Sequence, residues 1–280
     1  MKANGGYTII EVLVVVGVSA AIFFAAMTAI GGRQASVQFA QSVREFDAKI
    51  RDIMNDVTTG YYPTNDTITC TLSAGVPQIT VDTDAKLGTN NDCIFIGKAI
   101  QFQPDGVTNR MDIYSVAGLR FEDNDQTPTS SIAKAKPVPV ARVGDDFNFK
   151  DATVSYDLLY GLRIKKVIRP LGTTPPAYGL VGVISNFGVG GISDAQTVQV
   201  GGVVGSYLGA DESASIQLLD SLTDDPTRAL NDGYIEKNTS EGILVCLENE
   251  TGTRKASLAF GAKGTAATKL DIDSYDRKCE

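Results

Sequence analysis

The 280-residue chain contains no histidine and no tryptophan. Without histidine it lacks the commonest general base and the commonest transition-metal ligand, so imidazole triads and histidine zinc sites are excluded. Basic residues are also in the minority, with 25 Lys and Arg against 33 Asp and Glu and a formal net charge of −8. Because an acidic domain repels phosphate backbones, we expect no general nucleic-acid binding.

Cysteine is scarce, and none of the four cysteines forms a C-x-x-C pair. A thiolate zinc ribbon and a thioredoxin-type motif therefore have no support. An even count, in a chain whose N-terminal region is apolar enough to target a membrane, predicts two disulfides in an oxidising compartment. The spacing favours Cys70 with Cys93 and Cys246 with Cys279, but four cysteines allow three connectivities and the sequence does not choose among them.

Patterns typical of enzymes are also missing. Carboxylates are the only plentiful acid–base groups, and no spacing nominates a catalytic pair of the kind that an anchored hydrolase would need. The glycines at 188–191 lack the Lys-Ser or Lys-Thr of a phosphate loop, and the Asp pairs do not complete a calcium loop. We therefore expect no enzymatic activity, no cofactor and no metal site.

A long apolar run lies near the N-terminus. Val12 to Ile30 is nineteen residues without a charge, and at about 1.5 Å per residue a helix of that length is close to the thickness of a bilayer core. Glu11 directly precedes the run. A carboxylate inside a membrane segment costs roughly 2.5 to 3.5 kcal/mol on insertion scales, so Glu11 calls for a functional explanation.

Three ordinary interpretations of this run are weaker. A cleavable secretory signal would end near Val18-Ser19-Ala20, yet the apolar run continues past that site. An uncleaved anchor explains the length but neither Glu11 nor the glycines before it. A buried helix of a soluble protein would need a polar face, and none exists between Val12 and Met27.

The residues before the run form a recognisable pattern, Lys-Ala-Asn-Gly-Gly-Tyr-Thr-Ile-Ile-Glu from Lys2 to Glu11. This pattern resembles the prepilin leader of type IV pilins and type II secretion pseudopilins. That family has a short basic leader ending in glycine, then an aromatic residue, then a glutamate four residues further on. Here these positions are Gly6, Tyr7 and Glu11, with tyrosine in place of the commoner phenylalanine.

The resemblance implies how the protein matures and assembles. A prepilin peptidase would cleave after Gly6, and Tyr7 would become the N-methylated first residue. The subunit would be a single-pass membrane protein that an inner-membrane assembly platform builds, with identical or related pilin subunits, into an extracellular filament at the cell surface. Such filaments serve adhesion, twitching motility, DNA uptake or secretion, and in them the glutamate neutralises the N-terminal amine of an adjoining subunit.

Elementary chemistry gives Glu11 the same role. Cleavage after Gly6 places an α-amine on Tyr7, about 6 Å along the helix axis from Glu11. If a neighbouring subunit is displaced by that distance, its amine can pair with this carboxylate in a low-dielectric environment, where an unpaired charge is heavily penalised. The pair would fix the register of the two subunits.

A second, amphipathic helical segment follows the apolar run. Apolar residues recur there at steps of three and four, with charges between them: Phe39, Val43, Phe46, Ile50, Ile53, Met54 and Val57. Gly60 and Pro63 predict its end. We expect one helix from Tyr7 to Thr59 that is weakest at Gly17 and at Gly31-Gly32.

The remainder predicts a β-rich domain of short runs separated by turns. The predicted strands are Thr67–Leu72, Gln78–Val81, Cys93–Phe102, Met111–Phe121, Tyr178–Ser185, Thr197–Tyr207, Gly242–Leu247 and Lys255–Phe260. Turns are expected at Pro104–Gly106 and Asn249–Gly252, an exposed loop at Asn124–Pro139 and a short helix at Ala214–Leu222. The basic run Leu162–Arg169 is expected to be a solvated strand face.

The predicted fold class is α+β, with a long N-terminal helix packed on a C-terminal antiparallel β-rich domain, as in pilins. The expected divisions are a leader at 1–6, a transmembrane or assembly half at 7–30, an amphipathic half at 31–60 and a globular domain at 61–280. Phe102–Gly106 and Arg254–Cys279 are also similar to stretches of minor pseudopilins and fimbrial minor pilins. The alternative function is a membrane-anchored surface adhesin that never polymerises.

Overall fold

The computed structural model describes one α-helix, two short 3₁₀ helices (Pro104–Gly106 and Arg277–Cys279) and fourteen strands. The described residues are 7–60, 68–73, 76–81, 93–122, 127–129, 135, 138–140, 153–170, 177–185, 198–203, 206–211, 242–262, 267–272 and 277–279. The predicted helix at Ala214–Leu222 lies outside these residues. The chain divides into two compact units, Met1–Gln41 and Ser42–Glu280.

Helix α1 spans Ile9–Thr59 without interruption, including Gly17 and Gly31-Gly32. It ends as predicted at Gly60, whose φ of +67° is the left-handed conformation that glycine adopts at helix C-termini. The predicted apolar stripe is buried, with each member at most 3% exposed, from Phe39 to Val57.

The largest sheet lies in the second unit, Ser42–Glu280, which we call the β-rich unit. Its strands follow the order β11 (Val198–Gly202), β10 (Leu180–Ser185), β3 (Cys93–Phe102), β4 (Arg110–Leu119) and β7 (Val138–Val140), and β8 (Thr153–Asp157) also pairs with β4. All of these pairings are antiparallel. Strand β3 is paired on both sides, with β10 and with β4, and it is buried from Ile96 onward.

A second sheet has the order β14 (Thr268–Ile272), β13 (Lys255–Phe260), β12 (Ile243–Asn249) and β9 (Leu162–Ile168). Two further antiparallel pairs join β1 (Ile68–Ser73) to β2 (Val76–Val81) and β5 (Phe121–Glu122) to β6 (Thr127–Pro128). The predicted α+β class with an antiparallel β-rich domain is confirmed.

Polar contacts join the part of α1 that lies in the second unit, Ser42–Thr59, to the large sheet. The ammonium of Lys98 on β3, 5% exposed, lies 2.5 Å from a carboxylate oxygen of Asp56 on α1. Lys49 places its ammonium 5.8 Å from the ring centroid of Tyr156 on β8. Because an unpaired buried charge is strongly destabilising, the Lys98 side chain needs Asp56 beside it, which fixes how the helix lies on the sheet.

Several predicted strand boundaries were wrong. The run Met111–Phe121 is divided, because β4 ends at Leu119 and β5 pairs with β6 instead. The expected strand Thr197–Tyr207 ends at Gly202, beyond which the Ser206 hydroxyl accepts hydrogen bonds from the backbone amides of Gly179 and Leu180. One backbone hydrogen bond, from the Val203 amide to the Leu180 carbonyl at 2.9 Å, lies between the end of the strand and this side-chain contact.

The predicted exposed loop Asn124–Pro139 was also wrong in part. It contains β6, and its last residues enter β7, where Val138 and Pro139 pair with Ala117 and Val116 of β4. Proline is tolerated there because β7 contributes only a short edge segment.

Candidate functional site

The N-terminal end of α1 carries the predicted functional residues. The helix begins at Ile9, directly after Thr8, and Glu11 is its third residue. The Thr8 hydroxyl oxygen accepts a hydrogen bond from the Glu11 backbone amide at 3.3 Å, and Glu11 Oε2 accepts one from the Thr8 backbone amide at 3.0 Å. This reciprocal arrangement is a capping box, which satisfies two of the amides that a helix leaves unpaired at its start.

Hydrogen bonds from Thr8 reach only one of the two carboxylate oxygens of Glu11. Oε2 also accepts a hydrogen bond from the Thr8 hydroxyl at 3.0 Å, so both side-chain contacts to Glu11 use the same oxygen. Among the described residues, no hydrogen bond reaches Oε1. The cap therefore orients Glu11 and leaves one oxygen able to accept another donor.

The surface beyond Glu11 is apolar and exposed. Ile9–Met27 has a mean hydropathy of 2.6, and none of its residues is buried. Its nineteen residues are long and apolar enough to cross a membrane once, and they overlap the predicted run Val12–Ile30. The chain thus carries a candidate single-pass segment with one carboxylate, Glu11, in its first turn.

Of the predicted processing residues, Gly6 lies outside the described residues, whereas Tyr7 is described and its side chain is 88% exposed. Tyr7, Thr8 and Glu11 are adjacent at the start of α1. Thr8 did not appear among the predicted site residues. The signal for it was present in the sequence as Thr8-Ile9-Ile10-Glu11, the T-x-x-E spacing of a capping box before an apolar run.

The predicted disulfide between Cys246 and Cys279 is present, with Cα atoms 5.7 Å apart. Both cysteines are buried and pack with Ile168 and Leu244, so this bond fixes the C-terminal segment to β12. Cys93 is also disulfide-bonded. The side chain of its predicted partner, Cys70, lies outside the described residues.

Leu162–Ile168 of the basic run forms β9, so the predicted strand is confirmed, but only Lys165 on it is exposed. Its apolar members are buried, while Arg163 lies 2.8 Å from Glu250 and Lys165 lies 3.5 Å from Glu248. Neighbouring carboxylates therefore neutralise much of its positive charge. Within the described ranges, no three or more Cys, Asp or Glu residues are grouped so that they could hold a metal ion.

One carboxylate of the β-rich unit has an unusual environment. Asp112 on β4 is 8% exposed, and its Oδ1 is buried without a hydrogen-bond partner in the described structure. Burial raises the pKa of Asp112, as do Asp105 and Asp157 to a smaller extent, while the Ser155 hydroxyl and Arg110 oppose the rise. The charged form of Asp112 is therefore disfavoured in the folded state.

Asp112→Asn is expected to stabilise the protein at pH 7 by about 1 kcal/mol, because it removes a poorly compensated buried charge. A carboxyl group whose pKa is raised in the folded state lowers the free energy of unfolding at pH values above that pKa. At pH values below its pKa in the unfolded chain it has no effect on stability. The gain should therefore shrink as the pH falls towards about 4, where carboxyls become protonated. Thermal unfolding of the full chain in detergent at both pH values measures this. An equal gain at both pH values would contradict it, and Asp52→Asn, on an exposed face of α1, is the control.

No protein-family model, no curated protein and no solved structure matches this chain.

Proposed function

We propose that this chain is a structural subunit of an extracellular type IV pilus-like filament with a pilin fold. It is made as a membrane prepilin, cleaved by a prepilin peptidase between Gly6 and Tyr7, and assembled through α1. The observation that carries this proposal is the position of Glu11, a carboxylate in the first turn of an exposed apolar helix and four residues after Tyr7.

The exposed segment supports assembly rather than anchoring alone. A plain anchor gains nothing from a carboxylate whose insertion costs roughly 2.5 to 3.5 kcal/mol. A filament gains a specific contact, because the Tyr7 amine of a neighbouring subunit can pair with Glu11 inside the apolar bundle. The contacts from Thr8 leave Oε1 as the oxygen that would accept this amine. N-methylation of Tyr7 retains the positive charge.

The β-rich unit would form the outer surface of the filament. Its disulfide between Cys246 and Cys279 suits an oxidising compartment. The partners are identical or related subunits, the peptidase and an inner-membrane assembly platform. The filament would act in adhesion, twitching motility, DNA uptake or secretion, as in the pilins that the leader resembles.

Replacing Gly6 by leucine is expected to block maturation, because a peptidase that accepts only a small residue there must approach the backbone closely. Immunoblots of membranes from cells that contain a prepilin peptidase should show the longer precursor alone. Asn4→Leu, two residues upstream, should still be processed. Normal cleavage of the Gly6→Leu chain would contradict a prepilin leader.

A further inference from the structure

Three loops meet at one end of the large sheet, and we call them the loop cluster. They are residues 103–109 between β3 and β4, residues 158–161 between β8 and β9, and residues 206–211 after β11. Backbone hydrogen bonds join them, from the Asp105 amide to the Ala210 carbonyl at 3.0 Å and from the Leu158 amide to the Asn109 carbonyl at 2.7 Å. The loops therefore form one connected surface.

This surface is apolar. Among the described residues of Ser42–Glu280, five large hydrophobic side chains are exposed, and four of them lie on the loop cluster. These four are Val107, Leu159, Tyr160 and Tyr207, which we call the apolar patch. The fifth, Val154, lies within β8. Exposed apolar side chains that cluster in this way are typical of an interaction site.

The backbone of the loop cluster is strained. Gln103, Asp105 and Tyr160 are the non-glycine residues with positive φ in the described part of the chain, and all three lie on it. Tyr160 has a φ of +52° although asparagine or glycine would adopt this conformation more easily. The Ser42 hydroxyl of α1 donates a hydrogen bond to the Leu159 carbonyl at 2.7 Å, which helps to fix this turn. Such strain concentrates at binding surfaces.

Charges around the apolar patch are mainly negative. Asp105 and Asp211 lie on the loops, Asp157 directly precedes residues 158–161, and Glu250 lies beside Gly161. The guanidinium groups next to them are those of Arg110 and Arg163. Four carboxylates against two guanidinium groups leave a net charge of −2, and each arginine already forms an ion pair, with Asp157 and Glu250 respectively. This balance disfavours an anionic lipid surface and favours an apolar partner that carries a cation.

The chain itself contains such a partner. Beyond the membrane-length segment, α1 exposes Gln34, Ala35 and Val37. The sequence has a single charge between Val12 and Val43, and that charge is Arg33, directly before this stretch. An uncharged helical surface next to one cation complements an apolar patch with a negative rim.

We propose that the apolar patch of one copy binds residues 34–37 of α1 in a second copy. This inference rests on the proposed function, because the two copies meet in the filament. In this proposal the β-rich unit contacts the neighbouring subunit directly, which explains why Tyr160 is exposed in a strained turn.

A photo-cross-linking amino acid at position 160 tests the contact in sheared filaments of the full chain. We expect an adduct of dimer size in which position 160 is joined to the tryptic peptide Gln34–Arg44 of the second copy. The same amino acid at position 154 is the control and should not label that peptide. Labelling of the β-rich unit, a lipid or another protein, or no labelling at all, would overturn the proposal.

Substitution gives a second measurement. Tyr160→Asn removes the ring and suits the left-handed backbone, so its thermal midpoint should be unchanged or higher, while filament yield should fall about tenfold, as for loss of an aromatic anchor. Val154→Thr should assemble normally. Wild-type yield from Tyr160→Asn would overturn the patch contact alone. Absence of filaments from the wild-type chain would overturn the proposed function and this inference with it.

Discussion

Replacing Glu11 by valine is expected to reduce the yield of sheared filaments at least tenfold while the membrane level of cleaved subunit stays normal. The substitution removes the acid from the apolar segment, so insertion should be unharmed or easier by a few kcal/mol. The Tyr7 amine of each neighbouring subunit would then lie against apolar side chains and remain an unpaired charge. The β-rich unit has no contact that depends on Glu11 among the described hydrogen bonds, which join Glu11 to Thr8.

Two further variants separate charge from shape in this experiment. Glu11→Gln keeps the size of the side chain and an oxygen for the Thr8 cap but loses the charge, so it should assemble as poorly as the valine variant. Asp52→Asn neutralises an exposed carboxylate elsewhere on α1 and should assemble normally. Filaments built at wild-type yield from Glu11→Val as their principal subunit would show that the pairing role is wrong.

Removal of the Cys246–Cys279 disulfide is expected to produce the largest loss of stability. The two cysteines are 33 residues apart in the sequence, and cross-linking a loop of that size stabilises a fold by about 3 to 4 kcal/mol in the chain-entropy account. The double variant Cys246→Ala, Cys279→Ala also leaves small voids in a buried cluster. Thermal unfolding of the oxidised full chain in detergent should show a correspondingly lower midpoint.

Ser257→Ala provides the matched control for this prediction. Ser257 is 2% exposed on β13 and pairs with Cys246 on β12, so the variant changes a small buried side chain at the same place without removing a cross-link. Its free energy of unfolding should change by about 1 kcal/mol or less. An equally small change in the double cysteine variant would contradict the stabilising role of the disulfide.

The sequence predicted those elements whose own residues determine them. The stripe from Phe39 to Val57 repeats at helical spacing and is buried as expected. Strands β3 and β13 begin and end at the predicted residues, because each is mainly apolar and lies next to a clear turn signal, Pro104–Gly106 after β3 and Asn249–Gly252 before β13. The turn at Asn249–Gly252 formed for the same reason, with the Gly252 amide bonded to the Asn249 carbonyl at 2.9 Å.

Elements that depend on distant partners were not predictable in this way. Strands β7, β8 and β14 are three to five residues long, β7 contains a proline, and β8 and β14 carry polar residues. Strands β7 and β8 form because each pairs with β4. The division between β4 and β5 follows from the pairing of Phe121 with Pro128. The residues around Phe121 give no local signal of this pairing. Clustering of Val107, Tyr160 and Tyr207 likewise required the topology, since these residues are far apart in the sequence.

At the candidate site, the sequence indicated Glu11 and the apolar segment but not the way in which Glu11 is held. That detail came from the capping box with Thr8. The spacing T-x-x-E of Thr8 and Glu11 is typical of such a box, but the same spacing also occurs outside capping boxes.

The central claim is tested most directly by mass spectrometry of the N-terminal peptide from sheared surface filaments. We predict that this chain is a component of the filaments and that its N-terminal peptide begins with Tyr7 carrying an N-methyl group. A chain that retains Met1 to Gly6, or that stays in the membrane and is absent from the filaments, would contradict the account and favour an anchored adhesin that does not polymerise.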